Sequence, residues 1–186
     1  MNLKLGVSNR HVHLSEEVLG ILFDGKLTKK RDLVQKGHYA CEEVVDIKTS
    51  KGIIKNVRVL GPVREYTQVE ISKTDSYKLG LTPPVRDSGD LKNAETVTLI
   101  SKKGELEIKE CCIIANRHIH LTNADVQNFG LEGLDRVKVK SKGIKGAVLD
   151  NVFLKIDDSF TLELHLDTDD ANANMLQTGD VLEVIK

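Results

Sequence analysis

Short runs in which apolar and polar residues alternate recur along the whole chain, and each predicts a strand with one buried face. The clearest are residues 44–49 with 53–60, and residues 96–101 with 105–114. Within each pair a three-residue turn ending in glycine separates the runs, which predicts a hairpin,. Many short strands with turn signals between them favour a barrel or a sandwich.

Other segments extend this pattern. Further strands are predicted at residues 3–8, 66–72, 136–141, 147–156, 160–167 and 181–185. Short helices are predicted at residues 16–23, 74–79 and 167–175, and after Thr122. Ser15 is a predicted N-cap, and Thr122 begins a near capping box. Gly25 and Gly130 are the predicted helix ends. The polar stretch 24–43 is expected to form a solvated face.

One stretch of this pattern occurs twice. Residues 8–15 read Ser-Asn-Arg-His-Val-His-Leu-Ser, and residues 115–122 read Ala-Asn-Arg-His-Ile-His-Leu-Thr. Each copy lies where a predicted strand turns into a short helix, a kind of edge where ligands commonly bind. The two similar halves of the chain therefore predict two barrels.

The repeat places two pairs of histidines, His11 with His13 and His118 with His120. On a strand, residues two apart point to the same face, so each pair presents two imidazoles side by side. Paired imidazoles suit a borderline metal such as zinc. A single pair of this kind is often a structural accident, but four of the six histidines in the chain lie in these two pairs,.

A metal site needs further ligands, for which His165 and Glu70 are candidates, while Arg64 near such a site would hold a phosphate or carboxylate. His165 shares a strand face with Glu163, opposite a row of leucines, and would complete a three-histidine set beside the second pair,. Glu70 lies on the 66–72 strand, and Arg64 follows a Gly-Pro turn shortly before it. Ordinary surface positions remain the alternative for all three, since charged residues are usually exposed.

Composition narrows the classes of function. The chain has 186 residues, enough for one large or two small domains, and a net charge of −1, which indicates neither a nucleic-acid nor a membrane-surface partner,. Cys41, Cys111 and Cys112 form no metal or redox spacing, and are expected to be reduced, buried and intracellular,. No segment has transmembrane length, and the N-terminus is too short for a signal peptide, so a cytoplasmic location is expected,.

Several segments together resemble the PduL-type phosphate propanoyltransferases, also called phosphotransacylases. The resemblance covers nearly the whole chain, in the order of the family. The matching segments are residues 7–15, 61–64, 67–72, 84–90, the second histidine motif, and residues 162–173.

This resemblance implies a mainly β fold of two β-barrels capped by short helices, with the active site between them. It implies a central barrel at residues 10–115, and a discontinuous second barrel at residues 1–9 plus 116–186. It also implies transfer of a short-chain acyl group between coenzyme A and inorganic phosphate, with acyl-CoA and phosphate as the partners. Self-association into a homo-oligomer is left open.

The resemblance further implies two zinc ions as cofactors. One would be held by His11, His13 and Glu70, and the other by His118, His120 and His165. Arg64 would position phosphate as the catalytic arginine. Polar substrate-binding positions would be Ser8, Gln35, Gln68 and Ser88.

Some positions depart from the family pattern. His38 stands in Gln35-Lys36-Gly37-His38, where the family usually has Gln-Pro-Gly-Gln, so no pocket role is carried over to it. Lys155 stands where relatives commonly have arginine, and a lysine makes a less rigid contact,. The targeting extension of microcompartment members is not seen, so a free cytoplasmic member is expected.

The expected mechanism is direct attack of phosphate on the thioester, because no convincing Ser-His or Cys-His arrangement supplies a protein nucleophile. Two alternatives stay open. One is a di-zinc hydrolase that uses a bridging water as its nucleophile. The other is a binding module in which closed metal sites stabilise the barrels.

Overall fold

The computed structural model describes residues 1–185. In chain order the strands are β1 (Asn2–Ser8), β2 (His11–His13), β3 (Lys29–Asp32), β4 (Tyr39–Lys48), β5 (Ile53–Gly61), β6 (Gln68–Glu70), β7 (Val85–Arg86), β8 (Glu95–Ile100), β9 (Glu105–Ala115), β10 (His118–Leu121), β11 (Arg136–Lys140), β12 (Val148–Ile156), β13 (Glu163–Asp167) and β14 (Val181–Ile185). The helices are α1 (Glu16–Phe23), α2 (Lys73–Leu79), α3 (Asn123–Phe129) and α4 (Thr168–Ala173). The prediction of a mainly β protein with two barrels and short helices is confirmed.

The chain divides into two compact units, one of residues 10–115 and one that combines residues 1–9 with the residues from 116 onward. In the first unit six strands close a ring in the order β4, β5, β2, β6, β9, β8 and back to β4. Two short strands lie outside this ring, with β3 paired to β4 and β7 paired to β9.

In the second unit six strands close a barrel in the order β1, β13, β10, β12, β11, β14 and back to β1. The two rings repeat the same series of pairings. In each, the histidine strand pairs in parallel with one neighbour and antiparallel with the other: β2 with β5 and β6, and β10 with β12 and β13. The two barrels are therefore two copies of one topology.

The copies exchange their first strands. β1 directly precedes β2 in the chain but pairs with β13 in the second unit, and β9 precedes β10 but pairs with β6 in the first unit. In both cases the pairing is parallel, so β1 and β9 occupy equivalent places in their barrels. Each histidine motif consequently begins at the last residue of a strand that belongs to one unit and continues into a histidine strand of the other.

Each unit has its own apolar core, formed by the inward faces of the alternating strands. In the first unit the core includes Val12, Val59, Val69 and Cys112, and in the second it includes Leu5, Ile119, Leu121, Leu164 and Leu182. Val12 and Ile119 are the residues between the paired histidines, and both are completely buried. Their burial fixes which face of β2 and β10 carries the imidazoles.

The helices begin at side-chain caps, as the sequence predicts. Ser15 accepts a hydrogen bond from the backbone N–H of Val18 at the start of α1. Thr122 and Asp125 form a reciprocal capping box at the start of α3, which ends at Gly130 with a φ of 59°. α1 ends one residue before the predicted Gly25, because Asp24 itself adopts the left-handed conformation, with a φ of 56°.

Two local predictions need correction. The solvated face expected at residues 24–43 is present in β3, which is exposed along its whole length and pairs with β4 through its main chain, but Gln35 and the start of β4 at Ala40 and Cys41 are buried,. The strand expected at 66–72 is reduced to β6, because Ser72 already caps α2. Within the described part of the chain, every helix is too short or too polar to pass through a bilayer.

The two hairpin turns differ in the space around their glycines. An added Cβ at Gly52 would meet the backbone carbonyl oxygen of Lys78, whereas an added Cβ at Gly104 would meet no atom within 4 Å. We expect Gly52→Ala to lower the free energy of unfolding by about 1–3 kcal/mol, because the main chain at Lys78 cannot swing aside. Urea unfolding of both variants measures this effect, with Gly104→Ala as the matched control. Equal stability of the two variants would contradict the packing at Gly52.

Candidate metal centres

The first ligand group combines two neighbouring strands of the first unit. His11 lies directly opposite Glu70 in the antiparallel pairing of β2 with β6, and His13 follows on the same face of β2,. The His11 and His13 ring centroids are 5.0 Å apart. One potential ligand atom from each of His11, His13 and Glu70 lies within 4.8 Å of the other two. His11 Nε2 lies 3.4 Å from Glu70 Oε2.

His13 is the most buried residue of this group. It is 3% exposed, and its Nδ1 atom is buried without a hydrogen-bond partner. Burial lowers the pKa of His13 well below its usual value, and the neighbouring His11 and Arg64 lower it further. The ring is therefore neutral at physiological pH, which is the form that binds a metal. A buried, unpartnered ring nitrogen beside another imidazole and a carboxylate fits a bound cation.

The second ligand group is built at the equivalent place in the second unit. His118 lies opposite His165 in the antiparallel pairing of β10 with β13, and His120 follows on β10. The three ring centroids are 4.6–4.9 Å from one another, and the His118 and His165 rings are stacked. A potential ligand atom from each of the three lies within 4.8 Å of the other two.

Contacts behind the rings orient two of these histidines. His118 Nδ1 lies 2.8 Å from the backbone carbonyl oxygen of Asn116. A carbonyl oxygen only accepts, so Nδ1 carries the proton and Nε2 keeps the lone pair that a metal needs. The His120 ring stacks on Phe160 with centroids 4.2 Å apart. Both contacts restrict the rings before any ion binds.

Glu163 is a buried acid on the same strand face as His165, as alternation predicts, and it is not one of the predicted metal ligands. It is 6% exposed and lies opposite His120 in the β10–β13 pairing. Its Oε2 atom is 3.0 Å from His165 Nε2, in a geometry that makes no hydrogen bond. Gln68 lies opposite His13 and so occupies the equivalent place in the first unit. Strand alternation predicts that Glu163 shares a face with His165, but only the strand register shows that Glu163 lies opposite His120.

Arg64 lies in a hydrogen-bonded cluster attached to the first ligand group. Its Nη1 donates to Ser88 Oγ at 2.9 Å, and Gln68 Nε2 donates to the same oxygen at 2.9 Å. Gln68 Nε2 also donates to Glu70 Oε1 at 2.6 Å, while Gln68 Oε1 accepts the Gly89 N–H at 2.8 Å. Three predicted site residues, Arg64, Gln68 and Ser88, are thus joined to a predicted metal ligand.

Two further predicted polar positions lie elsewhere in their units. Ser8 ends β1 and is paired in register with Asp167 of the second unit. Gln35 is buried, 7% exposed, in the loop between β3 and β4, where its carbonyl oxygen accepts the His38 N–H. A substrate-binding role for either residue stays a prediction.

The cysteines are buried in the first unit, as expected. Burial raises the pKa of Cys41 to about 11 and that of Cys111 to about 12, and it raises the pKa of Cys112 as well. A thiol reacts as its thiolate, so these shifts make all three poor nucleophiles.

Comparison with known proteins identifies the family of this chain. The family model for phosphate propanoyltransferase matches residues 4–177. The chain belongs to the phosphate propanoyltransferase family. One similar relative is the phosphate propanoyltransferase of Thermotoga maritima, which is 49% identical over 98% of this chain and 88% of its own length. Another is the phosphate propanoyltransferase of Priestia megaterium, which is 48% identical over 95% of this chain and 82% of its own length. The phosphate propanoyltransferase of Clostridioides difficile is 43% identical over 99% of this chain and 89% of its own length.

Membership in the phosphate propanoyltransferase family answers one question that the sequence left open. The chain is an enzyme, an acyltransferase, which excludes the alternative of a module that only binds a partner. The resemblance predicted from the separate motifs is confirmed. The two histidine-rich groups are able to hold metal ions, which agrees with the predicted metal-binding property of this family member.

We expect protein purified without chelator to carry about two transition-metal ions per chain, one for each ligand group. His13→Ala and His165→Ala should each reduce this number to about one, because each removes a ligand from a different group. His38→Ala is the control, since His38 belongs to neither group. Elemental analysis gives the stoichiometry. Active wild-type protein with a metal content near zero would rule out the metal hypothesis.

Proposed function

We propose that this protein interconverts a short-chain acyl-CoA and inorganic phosphate with acyl phosphate and free CoA, by direct attack of phosphate on the thioester. The relatives are named for propanoyl transfer to phosphate. The observation that carries the proposal is the hydrogen-bonded connection from Arg64 through Ser88 and Gln68 to Glu70 of the first ligand group. It joins an anion-binding side chain to a metal-binding set.

Zinc is the metal we propose for both groups, with His11, His13 and Glu70 holding one ion. His118, His120 and His165 would hold the other. Imidazole and carboxylate donors suit zinc, and a set of three protein ligands is typical of catalytic rather than structural sites. When bound, zinc supplies Lewis acidity, which polarises a carbonyl group and stabilises a thiolate.

Arg64 is suited to hold phosphate because its charge is not neutralised by a carboxylate. Among residues 1–185 it has no ion-pair partner, and its guanidinium donates a hydrogen bond to the neutral hydroxyl of Ser88. Arg117 and Arg136, by contrast, are each paired with an aspartate. A guanidinium with remaining N–H groups binds phosphate oxygens in a planar fork.

Gln68 and Ser88 position Arg64 relative to the ligand group. Gln68 is fully buried, and its amide makes hydrogen bonds at both ends, to Glu70, Ser88 and Gly89. The Gly89 N–H identifies Oε1 as the acceptor, which leaves Nε2 to donate to the other two groups. Their role in the proposal is to preorganise the arginine and the metal ligand, which lowers the cost of orienting the reactants.

In the proposed reaction a phosphate oxygen attacks the carbonyl carbon of the thioester. A C–O bond forms, the C–S bond breaks, and the sulfur leaves as the CoA thiolate. No acyl-enzyme is needed, which agrees with the buried, high-pKa cysteines,. Holding both reactants makes the transfer effectively unimolecular.

The acyl group is proposed to be short, with propanoyl first by analogy with the relatives. Acetyl and propanoyl differ by one methylene, which a pocket discriminates by only about 1–3 kcal/mol. Acyl-phosphate formation from acetyl-, propanoyl- and butyryl-CoA tests the proposal directly. Thioester hydrolysis at a high rate without phosphate would instead indicate a hydrolase.

Arg64→Ala should lower kcat/KM for phosphate by about 30- to 1000-fold, because it removes a charge-assisted contact of about 2–4 kcal/mol. Arg64→Lys should recover little, since a point charge does not reproduce the planar fork. Phosphate-dependent rates measure the effect. Metal content and CoA affinity serve as controls and should stay at wild-type values. Unchanged phosphate kinetics in Arg64→Ala would rule out the assigned role.

Ser88→Ala tests the positioning part of the proposal. It removes the oxygen that Arg64 and Gln68 share, so we expect kcat/KM for phosphate to fall by about 2- to 15-fold, the equivalent of one net hydrogen bond. The effect should largely disappear in an Arg64→Ala background, because Ser88 would then have no arginine to orient. Additive losses in the double variant would contradict this coupling.

A further inference from the structure

Two arginines of the repeated motif remain without a role in the reaction described so far. Arg10 directly precedes His11, and Arg117 directly precedes His118. Each copy of the motif contains one of them, at the same position, although neither belongs to a ligand group. Their contacts show what they do in the fold.

Arg117 makes a two-pronged contact with Asp170. Its Nε donates to Asp170 Oδ2 and its Nη2 donates to Asp170 Oδ1, both at 2.7 Å. Its third nitrogen, Nη1, donates to the backbone carbonyl oxygen of Asp150 at 3.1 Å. The guanidinium is thus fixed in position and in plane, a geometry that lysine cannot reproduce.

Arg10 makes the corresponding contact in the first unit. Its Nε donates to Asp75 Oδ2 at 2.9 Å, and the Asp75 side chain is 7% exposed. Asp75 is the third residue of α2, and Asp170 is the third residue of α4. The same ion pair therefore occurs at the same place in both copies of the topology.

The aspartates lie just beyond the strands that carry the third ligands. α2 begins shortly after Glu70 of β6, and α4 begins shortly after His165 of β13. Each arginine, in turn, adjoins the strand that carries the other two ligands. Each ion pair consequently joins the two chain segments that supply one complete ligand group.

We propose that Arg10 and Arg117 are positioning residues that hold the two ligand-bearing segments of each metal group in place. The inference rests on the proposed metal-binding function of these groups. Arg117 acts through His118: fixing the backbone at Arg117 fixes the adjacent Asn116 carbonyl, which holds the His118 ring with Nε2 available. Groups behind a metal ligand commonly change metal affinity by about 10- to 100-fold.

The test compares Arg117→Lys, Asp170→Asn and Arg10→Lys with wild type. Zinc affinity of each group is measured by competition with a chromophoric chelator, and unfolding of the metal-free protein is measured separately. We expect Arg117→Lys and Asp170→Asn to weaken zinc binding by about 10- to 100-fold at the His118 group alone. Arg10→Lys should weaken binding at the His11 group alone.

Arg136→Lys is the matched control. Arg136 also donates two hydrogen bonds to one aspartate, Asp135, but this exposed pair joins two adjacent residues rather than two ligand-bearing segments, so both zinc affinities should stay unchanged. Loss of stability in the metal-free variants with wild-type zinc affinities would overturn the proposal and make the pairs purely structural. Wild-type protein that binds no zinc would overturn the proposed metal function itself, and with it this inference.

Discussion

The register of one antiparallel strand pair in each barrel brings the three side chains of each ligand group together. In the first barrel His11 faces Glu70, and in the second His118 faces His165. Because side chains alternate across a strand, a slip of one residue would turn the ligands toward the core and Val12 or Ile119 outward. Burial of those two residues at 0% exposure therefore stabilises the ligand arrangement as well as the barrel.

Two copies of one topology have diverged at the positions that face the histidines. The first copy has Gln68 and Glu70, while the second has Glu163 and His165. Each copy thus keeps one mostly buried carboxylate, Glu70 within the first ligand group and Glu163 beside the second, at strand positions that differ by two residues. A nearby carboxylate offsets the charge of a divalent ion, which lowers the cost of burying it. One backbone detail is also shared, since Asn56 of β5 and Asn151 of β12 lie at equivalent positions and both adopt a positive φ.

Features set by neighbouring residues were predictable, and features set by distant pairing were not. The hairpins around Gly52 and Gly104 and the caps at Ser15 and Thr122 follow from local patterns, and the structure confirms them. Alternation also predicted that His165 shares a face with Glu163. No local sequence pattern indicates that β1 and β9 pair with strands of the other copy. The discontinuous division of the chain was expected only from the family resemblance. The contact of Arg64 with Ser88 joins residues 24 apart, which is equally beyond local periodicity.

The neutral amide at Gln68 explains how one copy can hold both a metal group and an uncommitted arginine. Gln68 donates to Glu70 and to Ser88, so it links the carboxylate to the arginine cluster without adding a negative charge. A glutamate at this position, as at Glu163 in the other copy, would place a carboxylate beside the Ser88 hydroxyl that Arg64 contacts. That carboxylate would be available to pair with Arg64, as Asp170 pairs with Arg117, and would compete with a phosphate in the role proposed for Arg64,. The neutral amide at this register position thus adds no negative charge to the cluster that contains Arg64.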